Sequence, residues 1–190
     1  ARPVLAEGVR REEPVDDVDI EWSVQVAVRL AEAMSHAHDE GVIHRDVKPR
    51  NVFIDDRGDI RLGDFGLAKD TGEASLSIRG DFLGTPAYMS PEQIAAKRIE
   101  VDHRTDIYSL GVVLYEMLTY ECPFKGDSNE ALLYQVTFRR PAPIRRLNAR
   151  VPRDLELIVN MAMEKDPADR YASAVEMADD LRRFLAHEAV

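Results

Sequence analysis

The sequence predicts a mainly α-helical domain with a few short β-strands ahead of most of the helices. From Asp19 to about Glu40, apolar residues recur at steps of three and four, which is typical of an amphipathic helix. Two short β-type runs follow at 51–54 and 60–62, separated by a turn-forming stretch. Further helical patterns occupy 106–120, 127–136, 153–163 and 174–186, so we expect a helical C-terminal half.

Capping residues mark several predicted helix ends. Asp19 is expected to cap the start of the first helix, and Gly41 its end. Ser90, followed by proline, predicts another helix start, and Ser173 with Glu176 forms a capping-box pair before the last helix. Large side chains within the helical patterns are expected in the core: Tyr108, Tyr115, Met117, Met161 and Met163.

Composition excludes several classes of protein. Hydrophobic residues make up 45% of the chain, which indicates a globular domain and not a disordered one. The net charge of −10 argues against general nucleic-acid binding. No apolar stretch approaches the roughly 20 residues that a membrane-spanning helix needs. His36 and His38 are two residues apart and would lie on different helix faces, which argues against a zinc site.

The cysteine content predicts the cellular compartment, and the loop-forming stretches predict how the chain divides into segments. The single cysteine, Cys122, allows no internal disulfide and favours a reducing, cytoplasmic compartment, while a membrane tether outside these residues stays open. Residues 1–18 are acidic and are interpreted as a linker or surface segment; 19–187 form the domain, and 188–190 a tail. Residues 64–92 lack a sustained period and predict a long functional loop.

Three motifs occur in a fixed order along the chain. The first, at 44–51, reads His-Arg-Asp-Val-Lys-Pro-Arg-Asn; the second is Asp64-Phe65-Gly66; the third, at 84–92, ends in Ser-Pro-Glu. A single acidic residue from these motifs would ordinarily be interpreted as a surface group. Their order and spacing together match the protein-kinase signature set, so the chain resembles a bacterial-style, eukaryotic-type serine/threonine protein kinase. The resemblance covers roughly 19–187 and implies the C-terminal lobe of the kinase fold, mainly helical with a few strands.

The resemblance implies a reaction, two cofactors and four site residues. Asp46 would orient the hydroxyl of a protein serine or threonine, and Lys48 would reach the transferring phosphate of ATP. Asn51 and Asp64 would hold magnesium, since amide and carboxylate oxygens are the hard ligands that Mg²⁺ prefers. Lysine at position 48 is similar to the serine/threonine branch and unlike the tyrosine branch.

Other matched residues would support or regulate the site. His44, Phe65 and Gly66 belong to the motifs as structural residues. Asp106 would brace the catalytic loop backbone, although a simple helix cap is an open alternative. Glu92 and Arg170 would form a buried ion pair, although sequence alone leaves a surface position open for Arg170.

Regulation is expected to involve the 64–92 activation segment. By the same resemblance, Arg45 would pair with a phosphate on that segment. Thr71, Ser75 and Ser77 are the candidate acceptors, and Thr85 would help to seat the substrate peptide.

The part of the kinase fold that covers ATP has no counterpart in the sequence. There is no glycine-rich loop, and Val26–Arg29, which superficially resembles the strand motif that carries the ATP lysine, lies on the predicted helix. We therefore expect the 190 residues alone to be inactive, to need the missing N-terminal lobe as a partner, and to expose a face that favours self-association. The alternative function is a pseudokinase-like or lobe-only scaffold, against which the intact Asp46, Lys48, Asn51 and Asp64 argue.

Overall fold

The computed structural model describes residues 2–3, 17–55, 59–64, 86–95 and 101–190. Its strands are β1 (Arg2–Pro3), β2 (Val52–Ile54) and β3 (Ile60–Leu62). Its helices are α1 (Asp17–Asp39), α2 (Pro91–Ala95), α3 (Arg104–Thr119), α4 (Asn129–Phe138), α5 (Ile144–Leu147), α6 (Arg153–Ala162) and α7 (Ala174–Leu185). The predicted fold class, mainly helical with a small sheet, is confirmed. None of the helices in the described ranges is long and apolar enough to cross a membrane.

The first helix ends as the sequence predicts but begins earlier. The N–H of Gly41 donates to the His38 carbonyl at 2.9 Å, and the N–H of Val42 to the Ala37 carbonyl at 2.8 Å. With φ of +74° at Gly41, this pair of bonds is a Schellman motif, which confirms the predicted C-terminal cap. Asp19 lies inside the helix, because α1 extends two residues further toward the N-terminus.

The small sheet is antiparallel in the order β1-β2-β3. Val52 pairs with Leu62 and Ile54 with Ile60, so the predicted strand pair is confirmed, with β2 beginning one residue later than expected. Strand β1 pairs with β2 from within the segment that composition assigned to a linker. Two residues are too short a run for a strand pattern to be visible in the sequence.

Helix α3 is the central helix of the domain, packed against α1, α6 and α7. Most of its residues are buried, and its apolar side chains form the middle of the core. At Gly111 an added Cβ would lie 2.9 Å from Ala162 Cβ and 2.9 Å from Met163 Cγ, so glycine permits the close approach of α3 to the end of α6. Its first turn contributes to the candidate site described below.

Helix caps and core positions largely follow the sequence. Ser90 and Gln93 form a reciprocal capping box at the start of α2, with Ser90 N to Gln93 Oε1 at 3.0 Å and Gln93 N to Ser90 Oγ at 3.3 Å. Ser173 accepts from Glu176 N, but the Glu176 carboxylate bonds to Ala172 N, one residue before the predicted partner. The predicted core positions are buried except for one, since Met161 is 42% exposed on the outer face of α6.

Candidate functional site

The loop between α1 and β2 brings two motif side chains, Lys48 and Asn51, to the carboxylate of a third, Asp46. Lys48 Nζ donates to both oxygens of Asp46, at 2.9 and 2.7 Å. Asn51 Nδ2 donates to the same carboxylate at 3.0 Å and to the Asp46 carbonyl at 2.9 Å. Asp46 and Lys48 keep about a fifth or less of their side chains exposed, so the cluster is mostly shielded but still accessible to water.

Asp64 is brought next to this loop through the backbone. Gly63 N–H donates to the Asn51 carbonyl at 2.8 Å, which places the end of β3 beside the end of the 44–51 motif loop. Asp64 follows immediately, with an exposed side chain and a left-handed backbone at φ +59°. A non-glycine residue in that region is energetically unfavourable, a feature that is concentrated at functional sites.

His44 links the loop to the same strand end. Its Nε2–H donates to the Gly63 carbonyl at 3.0 Å, and its Nδ1 accepts from the Asp46 N–H at 3.2 Å. The two bonds require a single tautomer and fix the ring between β3 and Asp46. His44 is buried, so it acts as an internal bridge between the two motif segments.

Asp106 holds the loop from the first turn of α3. Its carboxylate is fully buried and accepts from His44 N–H at 2.9 Å, Arg45 N–H at 2.8 Å and His38 Nε2–H at 2.7 Å. The residue at the N-cap of α3 is His103, so the helix-cap alternative does not describe Asp106. Backbone N–H groups that donate to a buried carboxylate compensate its desolvation and fix the donors in position.

The backbone of Arg45 is held on both sides. Its φ is +65°, in the left-handed region. Its N–H donates to Asp106, and its carbonyl accepts from Gln93 Nε2 at 2.7 Å. These two contacts maintain a backbone conformation that residues other than glycine rarely adopt. They thereby set the orientation of the next residue, Asp46.

Sequence reasoning missed two of these supporting residues. Gln93 uses its amide oxygen to cap α2 and its amide nitrogen to hold Arg45, and His38 reaches Asp106 from α1. The capping-box spacing of Ser90 and Gln93 was a usable signal for the first role. His38 lies in α1 and is separated from Asp106 by 68 positions in the sequence, so no local pattern indicates that contact.

The Glu92 and Arg170 side chains form an ion pair in the interior of the domain. Arg170 donates to both Glu92 oxygens, at 2.6 and 2.8 Å, and the two side chains are 0% and 1% exposed. The same guanidinium donates to the carbonyls of Glu164, Lys165 and Arg104. Arg170 is therefore buried, and the alternative of a surface arginine is wrong.

The donor set suits a hard metal ion. The Asn51 amide uses its nitrogen for both hydrogen bonds to Asp46, so its oxygen is the atom that could bind a metal ion. Asp64 adds a carboxylate on the adjoining strand end. Amide and carboxylate oxygens are the ligands that Mg²⁺ takes alongside substrate phosphates. The remaining predicted site residues lie outside the described ranges: Phe65, Gly66, Thr71, Ser75, Ser77 and Thr85.

Comparison with known proteins finds the same family throughout. Residues 5–181 match the protein kinase domain family. The serine/threonine-protein kinase PknL of Mycobacterium tuberculosis is 44% identical over 160 residues, which are 83% of this chain and 39% of that protein. PknB of Mycolicibacterium smegmatis is 42% identical over 170 residues, 88% of this chain and 27% of that protein. A probable serine/threonine-protein kinase of Clostridium perfringens, CPE1738, is 39% identical over 86% of this chain and 24% of that protein.

The chain thus spans between about a quarter and two fifths of the length of these curated relatives. The family match covers nearly all of the chain, and the motif order in the sequence agrees with it. This chain belongs to the protein kinase family, in the serine/threonine branch found in bacteria.

Proposed function

We propose that this chain is the catalytic and substrate-binding half of a kinase that transfers the terminal phosphoryl group of ATP to serine or threonine hydroxyls of proteins. The observation that carries the proposal is the contact of Lys48 and Asn51 with the Asp46 carboxylate, on a loop whose backbone is held by buried Asp106. Phosphoryl transfer depends mainly on alignment and charge neutralisation, and this cluster provides groups for both.

Asp46 is the residue that orients the attacking hydroxyl. A carboxylate accepts a hydrogen bond from the serine or threonine O–H, which directs the oxygen lone pair toward phosphorus. Lys48 and Asn51 bind the carboxylate from two sides, which restricts its rotation. The Asp46 N–H bond to His44 and the strained Arg45 backbone fix the position of its Cα.

Lys48 and the two metal ligands provide the positive charge. Lys48 extends its ammonium group to the Asp46 carboxylate, and from there it stabilises the transferring phosphoryl group as a point charge. Asn51, through Oδ1, and Asp64, through its carboxylate, would hold Mg²⁺. When bound, the metal neutralises charge that develops on the phosphate oxygens.

Regulation would act through Arg45 and the activation segment. We infer that at least one of Thr71, Ser75 and Ser77 is autophosphorylated in the full-length protein and that Arg45 pairs with the phosphate. Thr85 would help to seat the substrate peptide. An ATP-covering lobe is needed as a partner, and we expect the 190 residues alone to transfer phosphate slowly or not at all.

The test is phosphate transfer by the full-length protein with Mg²⁺ and ATP. Mass spectrometry of an incubated serine- and threonine-containing protein should detect phosphoserine or phosphothreonine and no phosphotyrosine. Omission of Mg²⁺ should abolish the product. Failure to modify any hydroxyl under these conditions, in a protein that still binds other proteins, would instead support the scaffold alternative.

A further inference from the structure

The surface formed by α4, α6 and the segment between them has a charge opposite to that of the chain. Residues 139–153, the arginine segment, contain six arginines and no acidic residue, in a chain whose net charge is −10. The six arginines are exposed: Arg139, Arg140, Arg145, Arg146, Arg150 and Arg153. We propose that this surface, together with exposed apolar side chains of α4 and α6, binds an acidic polypeptide segment that carries apolar residues.

The backbone of the arginine segment is anchored to the domain. Tyr115 Oη donates to the Ala142 carbonyl at 2.9 Å, and Asn148 Nδ2 donates to the Leu118 carbonyl at 3.0 Å. Ile144 is fully buried between these points. A rigid backbone loses little conformational entropy on binding, so the exposed arginines are presented in a nearly fixed array.

The segment runs along one side of α6. Near one end, Arg140 contacts Glu164 at 3.5 Å, with its side chain 83% exposed. Further along, the Arg145 N–H donates to Glu156 Oε1 at 3.0 Å; Glu156 lies in α6, whereas Glu164 is two residues past the end of that helix. The two contacts bring both halves of the arginine segment to α6 and its C-terminal end.

Exposed apolar side chains occur on the two helices that precede and follow the arginine segment in the chain. On α4, Tyr134 and Phe138 are exposed, their ring centroids are 5.1 Å apart, and Arg139 lies 6.0 Å from the Tyr134 ring centroid. On α6, Leu157 and Met161 are exposed at a spacing of four residues, which puts them on one face. Aromatic, methionine and arginine side chains are enriched where proteins bind one another.

The six arginine side chains favour a short polypeptide with carboxylate groups as the ligand of this surface. All six are arginines, whose guanidinium groups bind carboxylates through two parallel hydrogen bonds. An extended anionic surface such as a bilayer would also approach the rest of this acidic chain, which would repel it. A short acidic segment contacts only the arginine segment and the adjacent apolar side chains.

This surface is separate from the catalytic loop. The arginine segment is anchored near Leu118, whereas the loop is held by Asp106, twelve residues earlier on α3. At a rise of about 1.5 Å per residue, these anchoring points lie about 18 Å apart along the helix axis. The inference goes beyond phosphoryl transfer and does not depend on it, because binding can be measured without ATP.

The test measures binding of a fluorescent glutamate-rich peptide with two phenylalanines four positions apart to the full-length protein. A matched peptide has serine in place of both phenylalanines, and phosphatidylserine vesicles represent the membrane. The protein variants are R145E/R146E and Phe138→Ser. The control is R182E/R183E, which makes the same charge change on α7.

We expect the phenylalanine peptide to bind at least about 10-fold more tightly than the serine peptide, since buried aromatic anchors commonly supply this much discrimination. R145E/R146E should weaken binding by at least about 10-fold, a change equivalent to roughly 1.4 kcal/mol, and added salt should weaken it as well. Phe138→Ser should weaken only the phenylalanine peptide, and R182E/R183E should change neither affinity. No binding, equal loss in R182E/R183E, equal affinity for both peptides, or preference for the vesicles would each overturn the proposal.

Discussion

Glu92 on α2 and Asp106 on α3 are both buried carboxylates, with exposures of 1% and 0%, yet their partners differ in kind. Glu92 is paired with a full positive charge, the guanidinium of Arg170. Asp106 accepts from two backbone N–H groups and from the His38 ring. The first carboxylate joins two distant parts of the chain through an ion pair, whereas the second fixes the path of the 44–51 loop. Similar burial therefore serves stability in one region and the geometry of the site in the other.

The largest effect on stability is expected from breaking the ion pair. Arg170→Met leaves the Glu92 charge buried without its partner and removes donors from three carbonyls, so unfolding in urea should show a loss of about 3–5 kcal/mol. The matched control is Arg182→Met, whose exposed pairs with Glu32 and Asp179 should contribute less than about 1 kcal/mol. Equal losses in the two variants would contradict the assignment. The double variant E92M/R170M should be more stable than Arg170→Met alone, because no unpaired charge remains.

A smaller effect on stability but a large one on catalysis is expected from Asp106→Asn. An amide has one acceptor oxygen, so one of the two loop N–H groups would face an NH₂ donor and lose its bond. Displacement of Asp46 by even about 1 Å can reduce kcat by about 100-fold. Denaturation should show a loss of only about 1–3 kcal/mol, in line with one buried donor left unsatisfied.

Asp102→Asn is the control for this variant, because Asp102 lies just before α3 and is partly exposed beside Arg104. Its kcat should stay close to that of the wild type. Glu92→Gln should instead lower the stability while the kcat of each folded molecule stays nearly normal. If both buried carboxylate variants lose activity and stability in the same proportion, the distinction between the two regions is wrong.

A smaller, pH-dependent effect concerns Lys165, a half-buried cation whose contacts are mostly neutral. Its Nζ donates to the Val136 carbonyl at 2.5 Å and to Tyr108 Oη at 3.2 Å, and lies 4.2 Å from the Phe124 ring centroid. Burial, and secondarily the charge of Arg170, lowers the pKa of Lys165 to about 8 from its ordinary 10.5. Between those pH values the unfolded chain binds more protons than the folded one, so this residue makes stability rise with pH across that window.

The measurement is the difference in unfolding free energy between the wild type and Lys165→Met as a function of pH. The wild type should gain stability relative to the variant as the pH rises from about 8 toward 10.5. A flat difference for Lys165→Met would show that its ammonium group is well solvated in the folded protein.

The sequence predicted the site better than it predicted the surfaces around it. The motif residues Asp46, Lys48 and Asn51 lie within six residues of one another, so a short loop suffices to bring them together. The contact of His38 with Asp106 and the exposure of Met161 depend on how helices pack, and no local pattern specifies packing. Periodicity alone cannot tell which apolar side of α6 meets α3, so Met161 was wrongly assigned to the core. The basic charge of the arginine segment was visible in the sequence, but its contact with α6 was not.

The most direct test of the proposed phosphoryl transfer is the kcat of Asp46→Asn in the full-length protein. An asparagine keeps the shape of the side chain but has no charge and only one acceptor oxygen, so kcat should fall by about 100- to 10,000-fold. The far-UV circular dichroism spectrum should be unchanged, and Asp127→Asn, an exposed residue before α4, should retain wild-type kcat. If Asp46→Asn keeps wild-type kcat, the hydroxyl is oriented by another group and the proposed role of this loop is contradicted.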